Sequence, residues 1–345
     1  MQYSFRWYGP KDPVKLTDIR QSNADYIVTS LHQIPTGEKW NYTDVEDRIN
    51  LINKSNNDYA NKLKWNVVES IPVHNDIKLR KNNFKKYIAN YKDTIVNIAK
   101  NKIPIICYNF MPIIDWTRTQ LDLQLPTDGL ALRFSYVQII IFEKYILKLN
   151  NLENRYSDEL LAEASDQYKL MSNSDLENLK FSVMGGLPAA EKKYTIEEFK
   201  EMLLSYKDIN NDELKSNFSE FLKEIIPVAE ENNIYKMFDH FKDKIHFIHL
   251  RNVTIEKDNI SFIESDHLEG DINFVKIINM ILIEEKKRKE NNQDYHIPMR
   301  PDHGHSLLDD KKKKLNPGYS CIGRMKGLAE IRGIIKALNN EQSQN

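Results

Sequence analysis

The sequence predicts an α/β protein, a TIM-type (β/α) barrel that is incomplete, with about six core strands and a helical insertion. Three observations predict it. Over the first 110 residues short apolar runs alternate with stretches of helical period, the pattern of parallel strands joined by crossover helices. From about Phe134 to Asn232 the apolar spacing is helical throughout, with no strand between. Strand-like runs then return at Ile245–Val253 and His296–Met299.

Each element has a local reason. Tyr3–Tyr8 alternates aromatic and polar residues and stops at Gly9-Pro10, a strand and a turn. Leu16–Gln21 is a short helix, and Tyr26–Leu31 is the second strand. Tyr42–Leu63 has helical period with Thr43 as its cap, and Trp65–Ile71 is the third strand. Asn83–Asn101 is an amphipathic helix leading to the fourth strand, Pro104–Phe110. The stretch from about 120 to 232 is expected to be a helical insertion or cap within a single barrel domain that spans 1–345. After the fifth strand, Ile245–Val253, come a helix at Phe274–Lys289, the sixth strand and a closing helix at Leu328–Leu338.

Composition narrows the function classes. With 345 residues and a net charge of −1, nothing electrostatic points to nucleic acid or an anionic membrane. The basic run Lys311–Lys314 follows Asp309 and Asp310 and reads as a solvated loop. Two cysteines, Cys107 and Cys321, allow no disulfide framework and no CxxC motif, which suits a reducing cytoplasm. No segment reaches the ~20 apolar residues of a membrane span.

Polar residues collect at the ends of the strands, where α/β folds do their chemistry. The last strand runs into Arg300-Pro-Asp-His-Gly304, and Asn316-Pro-Gly318 delivers Tyr319. His249 and Asp302 suit a hard or borderline divalent cation such as Mn²⁺ or Fe²⁺, which would hold substrate oxygens. His303 and Tyr319 are candidate proton-transfer groups. Arg6, Arg251 and Arg300 suit a carboxylate by a two-bond fork. Glu69 is either a substrate-binding group or the partner of a barrel arginine. Alternation turns His246 away from His249 and into a core position. Trp7, Trp65 and Trp116 read as packing.

Beyond these readings, the chain resembles the mannonate dehydratases. The resemblance rests on Phe5-Arg-Trp-Tyr-Gly9, Val68-Glu-Ser-Ile-Pro-Val-His74, Cys107-Tyr-Asn-Phe-Met-Pro112, Asp115-Trp-Thr-Arg118, Ile225-Ile-Pro-Val-Ala-Glu230, His249-Leu-Arg251, Arg300–Gly304 and Asn316–Tyr319. It implies a barrel of the xylose-isomerase-like group. It further implies Mn²⁺- or Fe²⁺-dependent dehydration of D-mannonate to 2-keto-3-deoxy-D-gluconate in hexuronate (glucuronate) catabolism. On that resemblance His249 and Asp302 are metal ligands, and His303 and Tyr319 move protons.

One departure stands out. The family pattern carries two more strand ends between the Ile225–Glu230 helix and the His249 strand, one with a HPDDPP-like motif and one with a CTGS-like motif. Their His and Cys are the remaining metal ligands. Here the chain passes almost directly from Ile234 to Ile245, with an apparent internal deletion near residues 234–238. His240 sits in a helical pattern and is not read as a ligand. A ~250-residue barrel uses about 30 residues per βα unit, so one to two units are missing. The expectations are weakened metal binding, open strand edges that favour a homodimer or higher homo-oligomer, and reduced or absent dehydratase activity. A non-catalytic family member is the alternative class. A sugar isomerase or epimerase of the same barrel group stands behind it, because the Arg300–Gly304 and Asn316–Tyr319 motifs argue for the dehydratase.

Overall fold

The computed structural model describes residues 1–57, 59–114, 117–185, 194–231 and 245–344. The first half follows the expected alternation: β1 Gln2–Arg6, α1 Leu16–Gln21, β2 Tyr26–Thr29, α2 Tyr42–Lys54, β3 Lys64–Pro72, α3 Asn75–Leu79, α4 Phe84–Lys100 and β4 Ile105–Asn109. Next come β5 Gln120–Gln124 and β6 Leu130–Phe134, then five helices: α5 Tyr136–Ile141, α6 Asp158–Leu170, α7 Asn173–Met184, α8 Ile196–Ser205 and α9 Asn211–Glu231. The C-terminal part is β7 Ile248–Leu250, β8 Asn252–Ile255, β9 Phe262–Ser265, α10 Phe274–Glu290, β10 Pro298–Pro301 and α11 Cys321–Gln344.

The parallel sheet has six strands in the order β4-β3-β2-β1-β10-β7. This order locates the missing piece. Chain order runs outward from β1 to β4 on one side, while β10 and β7 take the last two places on the other. A closed eight-stranded barrel would need two more strands between β4 and β7, and none is present among the described residues. α9 packs against α4 and β4, with Phe221 edge-on to Tyr91 at 5.2 Å and Phe218 at 5.0 Å from Phe110. The expected single strand at Ile245–Val253 is broken at Arg251. β7 joins the parallel sheet, and β8 joins a second one.

That second sheet, β5-β6-β9-β8, is antiparallel, and the sequence reading did not give it. Its strands have four or five residues, too short for alternation to separate from a loop. Smaller corrections concern ends. α2 is capped by Asn41 in a capping box with Asp44, not by Thr43, and stops at Lys54. β10 starts later than predicted, so Arg300 and Pro301 lie within it.

The main core lies between the helices and the parallel sheet, with Phe5, Ile27, Val68 and Ile106 against Ile95, Phe221, Ile278 and Leu328. The helices after β6 have a cluster of their own around Ile140, Ile141, Leu179 and Phe199. Among the described residues the opposite face of the sheet has a small buried apolar cluster, Val28, Val67 and Ile105, with Cys107 and Phe247 against it. Trp7 and Trp65 are buried, as packing residues should be. Asp115, Trp116 and His240 lie outside the described residues, as does the junction at 234–238. No helix among those described is long and apolar enough to cross a membrane.

Two glycines fix the loops after β10. Gly318 has φ +76°, a left-handed conformation that glycine adopts at little cost. Gly304 donates its N–H to the Gly318 carbonyl at 2.9 Å and lies against the start of α11. A Cβ on Gly304 would stand 2.3 Å from the Arg324 backbone nitrogen. Gly304→Ala is therefore expected to cost about 3 kcal/mol in urea unfolding, through overpacking against backbone. A variant as stable as the parent would show that α11 does not press on this loop.

Candidate active site

The strand ends converge as the sequence predicts. β1 supplies Arg6, β3 supplies Glu69, β10 supplies Arg300, and the following residues supply Asp302 and His303. Arg300 donates from Nε and Nη2 to the two oxygens of Glu69, at 2.8 and 2.7 Å. Its Nη1 donates to Asp302 Oδ1 at 2.8 Å. Arg6 Nη1 lies 3.0 Å from Glu69 Oε2. Arg6, Arg300 and Asp302 are buried and Glu69 nearly so. Two buried guanidinium groups thus face two carboxylates, the pairing that makes buried charge tolerable.

The titration behaviour follows. Burial alone would raise the Glu69 carboxyl, but Arg300 and Arg6, with hydrogen bonds from His249 and Arg300, hold it well below the usual range. Burial acts on Asp302 in the same sense, and His303, Arg300 and His249 outweigh it, so it too stays ionised.

Tyr319 is set by its turn. Arg324 donates to the Tyr319 carbonyl at 2.8 Å and to the Arg6 carbonyl at 2.8 Å, tying the turn to the end of β1. The Tyr319 ring is edge-on to His303 at 5.0 Å and to Tyr8 at 4.9 Å. Burial pushes its phenol well above the ordinary value, with Tyr8 and Asp302 adding and the two arginines opposing. The phenol therefore holds its proton at neutral pH. His303 Nδ1 lies 3.4 Å from Glu264 Oε1 and 3.5 Å from Asp302 Oδ2, an imidazole between two carboxylates.

The edge strand is looser. His249 is half-exposed, with Nδ1 3.4 Å from Glu69 Oε1. Arg251 is partly exposed and reaches only 4.0 Å from Glu264. Sequence reasoning missed Glu264, which comes from β9 in the second sheet, and Tyr8, which lies in the turn after β1. It quoted Arg118 in a motif without a role; Arg118 pairs with Glu264. The polar Glu264 inside Phe262–Ser265 is the one signal that pointed to β9. Lys311 and Lys313 pair with Asp128 and Asp310, in keeping with a loop role for the basic run.

The residues present do not fit a complete divalent metal site. The two donors named from the sequence are His249 and Asp302, and Asp302 already faces Arg300 and His303. Among the described residues no group of three or more His, Cys, Asp or Glu side chains could hold a metal ion. Cys107 has its thiol pushed up by burial, far from a thiolate ligand.

The ion cluster makes a stability prediction with a definite sign. Glu69 and Asp302 titrate below their ordinary values of 4.5 and 3.8 in the fold. Their stabilisation is complete above those values and is lost as pH falls from there toward the folded pKa values. Glu69→Gln leaves two buried guanidinium groups short of a carboxylate, so about 3–5 kcal/mol should be lost at pH 7. The loss should shrink below pH 4. Denaturant unfolding from pH 7 to 3 measures both, and a loss that grows with acid would contradict the sign.

Comparison with known proteins agrees with this geometry. The D-mannonate dehydratase (UxuA) family model matches residues 1–237 and 230–345, two pieces that meet where the sequence shows its deletion. The mannonate dehydratase of a Marinomonas species is 40% identical over 389 residues, covering 97% of this chain and 98% of that protein. The mannonate dehydratase of Saccharophagus degradans is 37% identical over 401 residues, covering 100% and 99%. Those 401 aligned positions against the 345 residues here leave at least 56 without a counterpart, the size of two βα units. The crystal structure of mannonate dehydratase from Streptococcus suis serotype 2 superposes with a TM-score of 0.71 at 25% identity, over 99% of this chain and 95% of that one. From end to end the chain belongs to the D-mannonate dehydratase family.

Proposed function

We propose that this chain is a hydro-lyase of the mannonate dehydratase type that acts on D-mannonate far more slowly than its intact relatives. The observation that carries the reading is His303 held between Asp302 and Glu264 with the Tyr319 ring at 5.0 Å. His303 takes the proton from C2, next to the carboxylate. Tyr319, which keeps its proton, gives it to the hydroxyl leaving C3. The C2–H and C3–O bonds break, water departs, and the enol relaxes to 2-keto-3-deoxy-D-gluconate. Of Arg6, Arg251 and Arg300, Arg251 is the least engaged, at 4.0 Å from Glu264, and takes the substrate carboxylate. Arg6 and Arg300, with Glu69 between them, border the bound substrate and hold the strand ends in place.

Mn²⁺ or Fe²⁺ is the cation we assign to His249 and Asp302, bound weakly because half of the family's donor set is absent. The chain is proposed to work in the cytoplasm, in hexuronate catabolism, as a homodimer or higher homo-oligomer that shields the open edges β4 and β7. The whole of 1–345 is one barrel domain in this reading, with the helices up to residue 232 as its insertion or cap.

The test is formation of 2-keto acid from D-mannonate with Mn²⁺ or Fe²⁺, with a chelator control and an intact relative alongside. Even outer-shell losses around a metal cost 10–100-fold, so the expected rate is at least about a hundredfold below the relative's. Equal, metal-dependent turnover would sink the weak-site reading. A folded chain with no turnover is the non-catalytic family member, and an aldose turned to a ketose marks an isomerase.

A further inference from the structure

Beside the proton-transfer pair lies a cleft of about 620 Å³ that no part of the mechanism uses. That is the size range of small-ligand sites, about 300–1,000 Å³. Tyr8, His32, Gln33 and Arg48 line it, and Asn316 of the turn that carries Tyr319 closes one side. Lys11, Asp44 and Asp47 stand toward the mouth. The cleft opens at the ends of β1 and β2 and adjoins the candidate active site through Tyr8, which touches both the His32 ring, at 5.3 Å, and Tyr319.

Two features of the wall call for a ligand. His32 lines the cleft, and its Nε2, buried in the unliganded chain, has no hydrogen-bond partner among the described residues. Burial, with Arg6 and Arg48 nearby and only Glu69 opposing, pushes its pKa down to about 3, so the ring is neutral and each nitrogen has one fixed role. Arg48 is buried and donates hydrogen bonds to the Ser30 carbonyl at 2.8 Å and Gln33 Oε1 at 3.0 Å, with no carboxylate in ion-pair reach among the described residues. Burial alone takes its pKa down to about 10, still charged at neutral pH. A neutral imidazole, an amide and a guanidinium without a counter-charge form a wall of mixed donors and acceptors, which suits hydroxyl groups.

Resting on the sugar-acid reading above, we propose that this cleft seats the far end of the linear sugar acid. His32 and Gln33 hydrogen-bond its terminal hydroxyls, and Arg48 holds Gln33 in place. The acid's first three carbons lie at Asp302, His303 and Tyr319, and the chain passes Tyr8 into the cleft. His32 and Gln33 are then specificity-determining residues that read chain length.

The experiment is calorimetric binding of D-mannonate and of L-erythronate, which keeps the carboxylate and the C2 and C3 centres but lacks C5 and C6. Losing hydrogen bonds at that end should make L-erythronate bind about tenfold more weakly to the parent chain. His32→Ala, and independently the exposed Gln33→Ala, should remove most of that preference while leaving L-erythronate affinity within about twofold. A purely structural role would weaken both acids alike. Variants that keep the full preference, or a parent with none, overturn the subsite and leave the lyase reading intact. A parent that binds neither acid overturns the sugar-acid reading, and the subsite with it.

Discussion

The fork of Arg300 on Glu69 and its single bond to Asp302, with Arg6 on the same Glu69, form the constraint on which the rest of the site depends. It joins the ends of β1, β3 and β10 across the concave face of the sheet. Those three strands are far apart in sequence, and little apolar packing lies on that face to hold them. Val28, Val67 and Ile105 form its only fully buried apolar cluster among the described residues. The charges are costly to bury singly and tolerable together. From this fixed point Asp302 faces His303, and Arg324 brings the Tyr319 turn back to β1.

The same cluster bears on the missing part of the barrel. A closed barrel would surround this face with eight strand ends, and among the described residues six provide it. The charges at the ends of β1, β3 and β10 are balanced by one another. Glu69 and Asp302 answer Arg6 and Arg300, and Glu264, from outside the parallel sheet, answers Arg118 beside His303. The fold has a reason to persist without the two further strands that a closed barrel would need. The proposed chemistry has no such substitute, which is why the activity is expected to be slow.

Much of this was legible in the sequence because it follows from periodicity and strand ends. The six parallel strands, the helical stretch after Phe134 and the gathering of Arg6, Glu69, His249, Arg300, Asp302, His303 and Tyr319 are all where apolar runs stop and polar residues begin. What escaped has a physical cause too. The antiparallel sheet is made of strands too short to show a period, so Glu264 had no visible face. Which carboxylate an arginine forks is a question of side-chain reach across strands, and sequence spacing does not carry it. In sequence Arg6 and Arg300 suit a carboxylate and Glu69 is either a substrate group or the partner of a barrel arginine; in the fold both arginines engage Glu69. His32 and Arg48 sit in a loop and on a helix, where a histidine or arginine is ordinary, and only the cleft between them makes them notable.

The central claim is that the strand-end charges are satisfied internally and that the cation site is half-built. Titration of Mn²⁺ into the folded chain, with free Mn²⁺ followed by electron paramagnetic resonance, tests it most directly. The expected result is no saturable binding at micromolar Mn²⁺ and no change in thermal unfolding on adding the metal or a chelator. Stoichiometric micromolar binding that raises the unfolding temperature would contradict the claim. It would mean that residues beyond His249 and Asp302, or a second copy of the chain, complete the site.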